Sequence, residues 1–125
     1  LTGVEAEQQA WASSPSLPAQ WQRYFETAKT VGERDLDGKK VLLIMANDNT
    51  DAQLYIGFGD TQVNAKQMNE WNADHRFGRA YADDDGNPVL ESDLDFAGGV
   101  TDDIIKAWIK LYGAQVKSYI KFLSD

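Results

Sequence analysis

The densest concentration of chemically capable side chains in this chain is the run NEWNADHRFGRAY, residues 69–81, which carries the single histidine, His75, and two of the twelve basic residues, Arg76 and Arg79. An imidazole could act as a general base, but it needs a nucleophile to serve. The chain has no cysteine and no G-x-S-x-G elbow, and its serines lie before residue 17 or at Ser92, Ser118 and Ser124, so a Ser-His mechanism is not supported. The guanidinium groups of Arg76 and Arg79 suit a carboxylate ligand or a partner's acidic segment. Three apart on an extended segment, they face opposite sides and do not clamp one ligand together. The run therefore yields a candidate interaction surface of Asn69, Asn72, Arg76, Arg79 and Tyr81. The competing explanation is architectural: Trp71 and Phe77 anchor the core on either side of a helix-to-strand bend, Asn72 and Asp74 end the helix, and Gly78 permits close packing.

Other chemistry is weaker. A calcium loop with Gly86 at its sixth position puts Tyr81, Asp83 and Asp85 at positions 1, 3 and 5, but Ser92 where a bidentate Glu is required. A loop around Gly38 offers Glu33, Asp35 and Asp37, then Ile44 at the closing position. Neither completes a ligand set, so no metal or cofactor is expected. Glu91 and Asp93 would stand about 7 Å apart on one strand face, within glycosidase geometry, yet any solvated acidic strand shows this alternation. GFG and FGR lack the strand, glycine loop and helix that a phosphate cradle needs.

The elements that must position these residues follow from periodicity. VEAEQQAWASS has apolar residues at helical spacing and precedes the breaker-rich SSPSLP, so residues 1–16 form an arm or marginal helix and 17–125 a single domain. Leu17, Trp21, Tyr24, Phe25 and Ala28 share one face of a first helix. The Asp37-Gly38 and NDNTD turns then divide as many as three short strands. The unbroken VLLIM predicts a central strand covered on both faces, and Leu54, Ile56 and Phe58 a strand with one wet side. Asn64 with Gln67 has capping-box spacing ahead of a short helix carrying Met68 and Trp71. Beyond it, the turn DDDGNP joins two strands, and Leu90, Leu94 and Phe96 oppose a solvated acidic face of Glu91, Asp93 and Asp95. Thr101 caps a long helix running to about Leu123. The fold class is α+β, an antiparallel twisted sheet of about five strands with flanking helices, in the order α-β-β-β-α-β-β-α.

At 125 residues, with 42% hydrophobic and 26% charged, the composition is that of a folded domain. A net charge of −8 argues against nucleic acid and anionic lipid as partners. The longest apolar run, VLLIMA, is strand-sized, so membrane insertion is not expected. The chain starts at Leu1 rather than Met, which tips the expectation toward a periplasmic or secreted location over a cytoplasmic one.

From MNEWNADHRFGRAYADDDGNPVLESDLDFAGGVTDDIIKAWIKLYGAQVKSYIKFL the chain resembles the YbjN family, bacterial proteins described as sensory transduction regulators. The shared features are an Asn-Trp-Asn helix end, an Arg-Phe-aromatic strand, an acidic-Gly turn and a GGVT helix start, over roughly residues 42–123. The resemblance implies a fold like that of type III secretion chaperones, commonly dimeric, with neither enzymatic activity nor cofactor. The expected function is a non-catalytic interaction module, chaperone-like or a regulatory adaptor, binding another protein through its sheet or a helix face. The alternative is a small-ligand sensor with a site near Trp71, Arg76 and Arg79, which a buried arginine would favour. An acidic sheet face would favour basic partners. Tyr112, Tyr119 and Phe122 exceed what one sheet face should cover, which suggests a homodimer.

Overall fold

The computed structural model describes residues 20–21, 41–46 and 50–125. Among them are four strands and two helices: β1 (Leu42–Ala46), β2 (Asp51–Gly57), α1 (Ala65–Asp74), β3 (Arg79–Ala82), β4 (Pro88–Asp95) and α2 (Asp102–Ser124). The strands form one antiparallel sheet in the order β1-β2-β4-β3. The α+β class stands, with four strands in place of about five among the described residues. The strand expected before Asp37-Gly38, most of the first helix, and residues 1–16 lie outside them. Of that helix, Gln20 and Trp21 are helical. Trp21 is buried, its ring 5.0 Å from Phe96 and 5.9 Å from Trp108, while Gln20 donates to the Val100 carbonyl and to Asp102 Oδ1.

Local chemistry explains the joints. In the β3–β4 turn, Asp83 Oδ1 accepts from the backbone N–H groups of Asp85 and Asn87, and Gly86 takes φ +81°, a value that suits glycine. Asn64 and Gln67 make the reciprocal capping box at the start of α1. Thr101 Oγ1 accepts from the Ile104 N–H at the start of α2, where Asp102 and Asp103 meet the positive end of the helix dipole. Val63 N–H bonds the Gly86 carbonyl, so the lead into α1 is tied to the β3–β4 turn.

Strand alternation sends Leu43, Leu54, Ile56, Ala80 and Leu90 to one face of the sheet, where α2 packs with Ile105, Trp108, Tyr112, Val116 and Tyr119 buried. Each of the larger apolar side chains, once fully buried, stabilises by roughly 1.5–3 kcal/mol. Three hydrogen bonds fix the helix over the strands: Tyr112 Oη to the Leu90 carbonyl, Tyr119 Oη to the Val89 carbonyl and Trp108 Nε1 to Ser92 Oγ.

Several expectations are corrected. Among the described strands VLLIM lies at the end of the sheet rather than at its centre, although Leu42 and Leu43, on opposite faces, are both buried, and β2 lies between β1 and β4. β2 is covered on both faces where Leu54, Tyr55 and Ile56 are all buried. Tyr112 and Tyr119 are not surplus, since α2 turns both inward, and Phe122 packs 5.6 Å from Trp71. The large hydrophobic residues exposed on α2 are Ile104 and Leu111. No described helix is long and apolar enough to cross a membrane.

Candidate interaction surface at the helix-to-strand bend

Between α1 and β3 the chain turns at residues 75–78. Trp71 anchors the bend as expected: its indole is buried, 5.0 Å from Tyr119 and tilted against Phe122. His75 ends α1 and stacks on that indole with centroids 3.4 Å apart and planes 8° from parallel. Its Nδ1 lies 2.9 Å from the Trp71 carbonyl oxygen, to which the Nδ1–H tautomer donates. Asn72 reaches across to β3, donating to the Ala80 carbonyl and accepting from the Ala80 N–H, both at 2.9 Å.

Phe77 departs from its expected role as a core anchor. Its side chain is 65% exposed and its backbone sits at φ +72°, the one non-glycine residue with positive φ among those described. The neighbouring hydrogen bonds explain the geometry. Gln115 Nε2, from α2, donates to the Arg76 carbonyl, and Ser92 Oγ, from β4, donates to the Phe77 carbonyl at 3.1 Å while accepting from Trp108 Nε1. In an extended chain successive carbonyls point to opposite sides. Anchoring two consecutive carbonyls to the sheet and helix behind them therefore demands a bend, and the bend falls at Phe77. A left-handed conformation costs a non-glycine residue about 1–2 kcal/mol. Gly78 completes the turn, because a Cβ there would stand 2.6 Å from Gln115 Oε1 and 3.3 Å from Leu90 Cδ1. With its backbone held from behind, the loop directs Phe77 into solvent, and the Arg76 guanidinium lies over its ring, 4.9 Å from the centroid.

Arg79 opens β3 directly opposite Glu91 on β4. Its Nη2 and Nε lie 2.8 and 3.3 Å from Glu91 Oε1, and Nη1 lies 3.2 Å from Asp93 Oδ2. The Glu91 hydrogen bond, more than any other contact, pushes the guanidinium's pKa further above its ordinary range. Glu91 is buried, only 7% exposed, which corrects the expected solvated acidic face. Asp93 is exposed but engaged by Arg79 and by Gln53 Nε2. All three carboxylates of that face accept hydrogen bonds within the fold, Asp95 from the Ala97 N–H, which weakens the case for a basic partner there.

The sequence-derived surface residues accordingly divide. Arg79 and Tyr81 share one face of β3, with Arg79 in its ion pairs and Tyr81 half-buried. Asn72 holds β3, Asn69 is exposed on α1, and Arg76 projects with Phe77 on the bend. Arg76 and Arg79 act at separate places, as their spacing implies. Sequence reasoning did not find the outward direction of Phe77 or its anchors Ser92 and Gln115. The one local signal is Gly78 immediately after an aromatic.

Residues 35–124, most of the chain, match the family model of YbjN, described as "Putative bacterial sensory transduction regulator". Neither a curated protein nor a solved structure matches the chain. The chain belongs to the YbjN family, which is described as a regulator rather than as an enzyme.

Proposed function

We propose that this YbjN-family chain is a non-catalytic interaction module, a regulatory or chaperone-like adaptor that recognises another protein through the bend between α1 and β3. The observation that carries the reading is Phe77: an aromatic ring held outward at positive φ, with its own carbonyl and that of Arg76 anchored from behind. Strained backbone that its surroundings over-determine concentrates at functional sites. An exposed aromatic beside an arginine has the composition that dominates binding energy in protein interfaces. Of the residues singled out from the sequence, Arg76 falls on this surface, and Phe77 joins it. The small-ligand alternative draws less support, because Arg76 and Arg79 are both exposed rather than enclosed.

A photo-crosslinking residue tests this reading when introduced at Phe77 in the full chain in bacterial cells, with a control at the exposed Lys117. A protein adduct formed from position 77 and absent from position 117 supports it. No adduct at 77, or the same adducts from both positions, removes it.

A further inference from the structure

Three large hydrophobic side chains are exposed among the described residues: Phe77 at 65%, Ile104 at 49% and Leu111 at 39%. Ile104 and Leu111 stand about two turns apart on α2, and the Phe77 bend is tied to the same helix. Residues 104, 108, 111 and 115 follow helical spacing and form one stripe along α2. Two members of that stripe hold the bend: Gln115 bonds the Arg76 carbonyl, and Trp108 bonds Ser92 Oγ, which bonds the Phe77 carbonyl. Leu111 lies between those two anchors, and Ile104 one turn before Trp108. The outer flank of the same stripe continues through Ala107, Ala114 and Ser118, all exposed and all uncharged. At 100° per residue, the charged residues of α2 at 103, 106, 110, 117 and 121 fall on a different arc.

The ionic group on this patch is Arg76, which touches the Phe77 ring and has no carboxylate partner among the described residues. An isologous dimer would press this patch against its own copy. It would bring two guanidinium groups toward one interface with no carboxylate of the described patch between them, and like charges set against each other across an interface are unfavourable. A partner carrying both an apolar stripe and a carboxylate satisfies the patch completely.

Resting on the interaction reading above, we propose that Phe77, Ile104 and Leu111, with Arg76 at the rim, form a docking surface for an amphipathic helical segment of a different protein. That segment sets apolar side chains against α2 and a Glu or Asp against the Arg76 guanidinium. Helix-in-groove recognition of this kind uses anchors at i, i+3 or i+4, and i+7.

The probe is a displayed library of 16-residue peptides selected against the full chain, with affinities then measured by fluorescence anisotropy. The expected result is enrichment of an apolar stripe at helical spacing flanked by an acidic residue. Binding should weaken at least tenfold with Leu111→Glu and with Phe77→Ala, and stay unchanged with Lys117→Glu. Arg76→Glu should shift the selection from acidic to basic flanks. Ile104→Glu offers a second break in the patch if Leu111→Glu does not fold. Enriched peptides that bind all variants alike overturn this surface while leaving the interaction reading standing, and so does a preference for basic flanks. A selection with no binder overturns the surface. A dimer in sedimentation velocity that Leu111→Glu dissolves assigns the face to a second copy and overturns the heterologous partner. The crosslink at Phe77 is scored independently, so a failure of the broader reading is separable from a failure of this one.

Discussion

Replacing Phe77 by glycine and by alanine isolates the energetic consequence of its positive φ. Both variants delete the ring and its contact with Arg76, so those losses cancel in the comparison and only backbone preference remains. At ordinary positions alanine is the more stabilising residue by about 0.4–1 kcal/mol, because glycine leaves the unfolded chain more freedom. At φ +72° the alanine Cβ meets the left-handed penalty of about 1–2 kcal/mol, and glycine does not. Subtracting the first effect from the second leaves Phe77→Gly more stable than Phe77→Ala by about 0.8 kcal/mol at the midpoints, within bounds of about 0–1.6 kcal/mol, a reversal of the usual order. Urea unfolding of the two variants with a shared m-value measures the difference. Alanine equal to or better than glycine would refute the argument, since it would mean that the bend relaxes once the ring is gone.

Arg79→Ala strips the buried Glu91 of its counter-ion. Removing one partner of a fully buried pair costs about 3–5 kcal/mol, but the Arg79 side chain is 56% exposed, so solvent screening brings the expected loss in urea unfolding to about 1–2 kcal/mol. Adding Glu91→Gln should recover part of it. Gly78→Ala should destabilise by about 1–3 kcal/mol through overpacking against Gln115 and Leu90, and a double-mutant cycle with Gln115→Ala should show coupling between the two sites. Burial raises the pKa of the Tyr119 phenol above its ordinary value. Its contribution to stability is therefore intact below the unfolded value of about 10 and is lost as pH climbs from there toward the folded one. Thermal unfolding of Tyr119→Phe should show a shallower alkaline decline than the parent.

What could be read from the sequence was what short-range chemistry decides. Asn64 with Gln67 marks the start of α1, Thr101 the start of α2 and Gly86 the β-turn, because each acts on backbone groups within a few residues. Trp71 as an anchor followed from its helical spacing with Met68. Glu91 was misjudged because alternation reports which face a residue takes and is silent about what stands across the strand. Its partner Arg79 lies twelve residues away and is brought opposite by the β3–β4 register. Phe77 was misjudged for a related reason: the carbonyl anchors that turn it outward come from Ser92 and Gln115, on two other elements. The place of β1 at the end of the described sheet, with β2 inside it, was not legible for the same reason, since hydrophobic runs do not encode the order of strands.

The Asn72 contact limits how this sheet can meet another chain. β3 is the outermost strand on its side of the described sheet. An outermost strand normally offers a row of unpaired N–H and C=O groups that templates further pairing, whether with a copy of itself during aggregation or with an extended peptide. At Ala80 the Asn72 amide fills both valences, donating and accepting as a neighbouring strand would. The β3 margin is thereby plugged at its centre by a side chain from the preceding helix. Lengthening the sheet there would require α1 to give way first, so partners of this protein must read side chains rather than extend its ladder along β3.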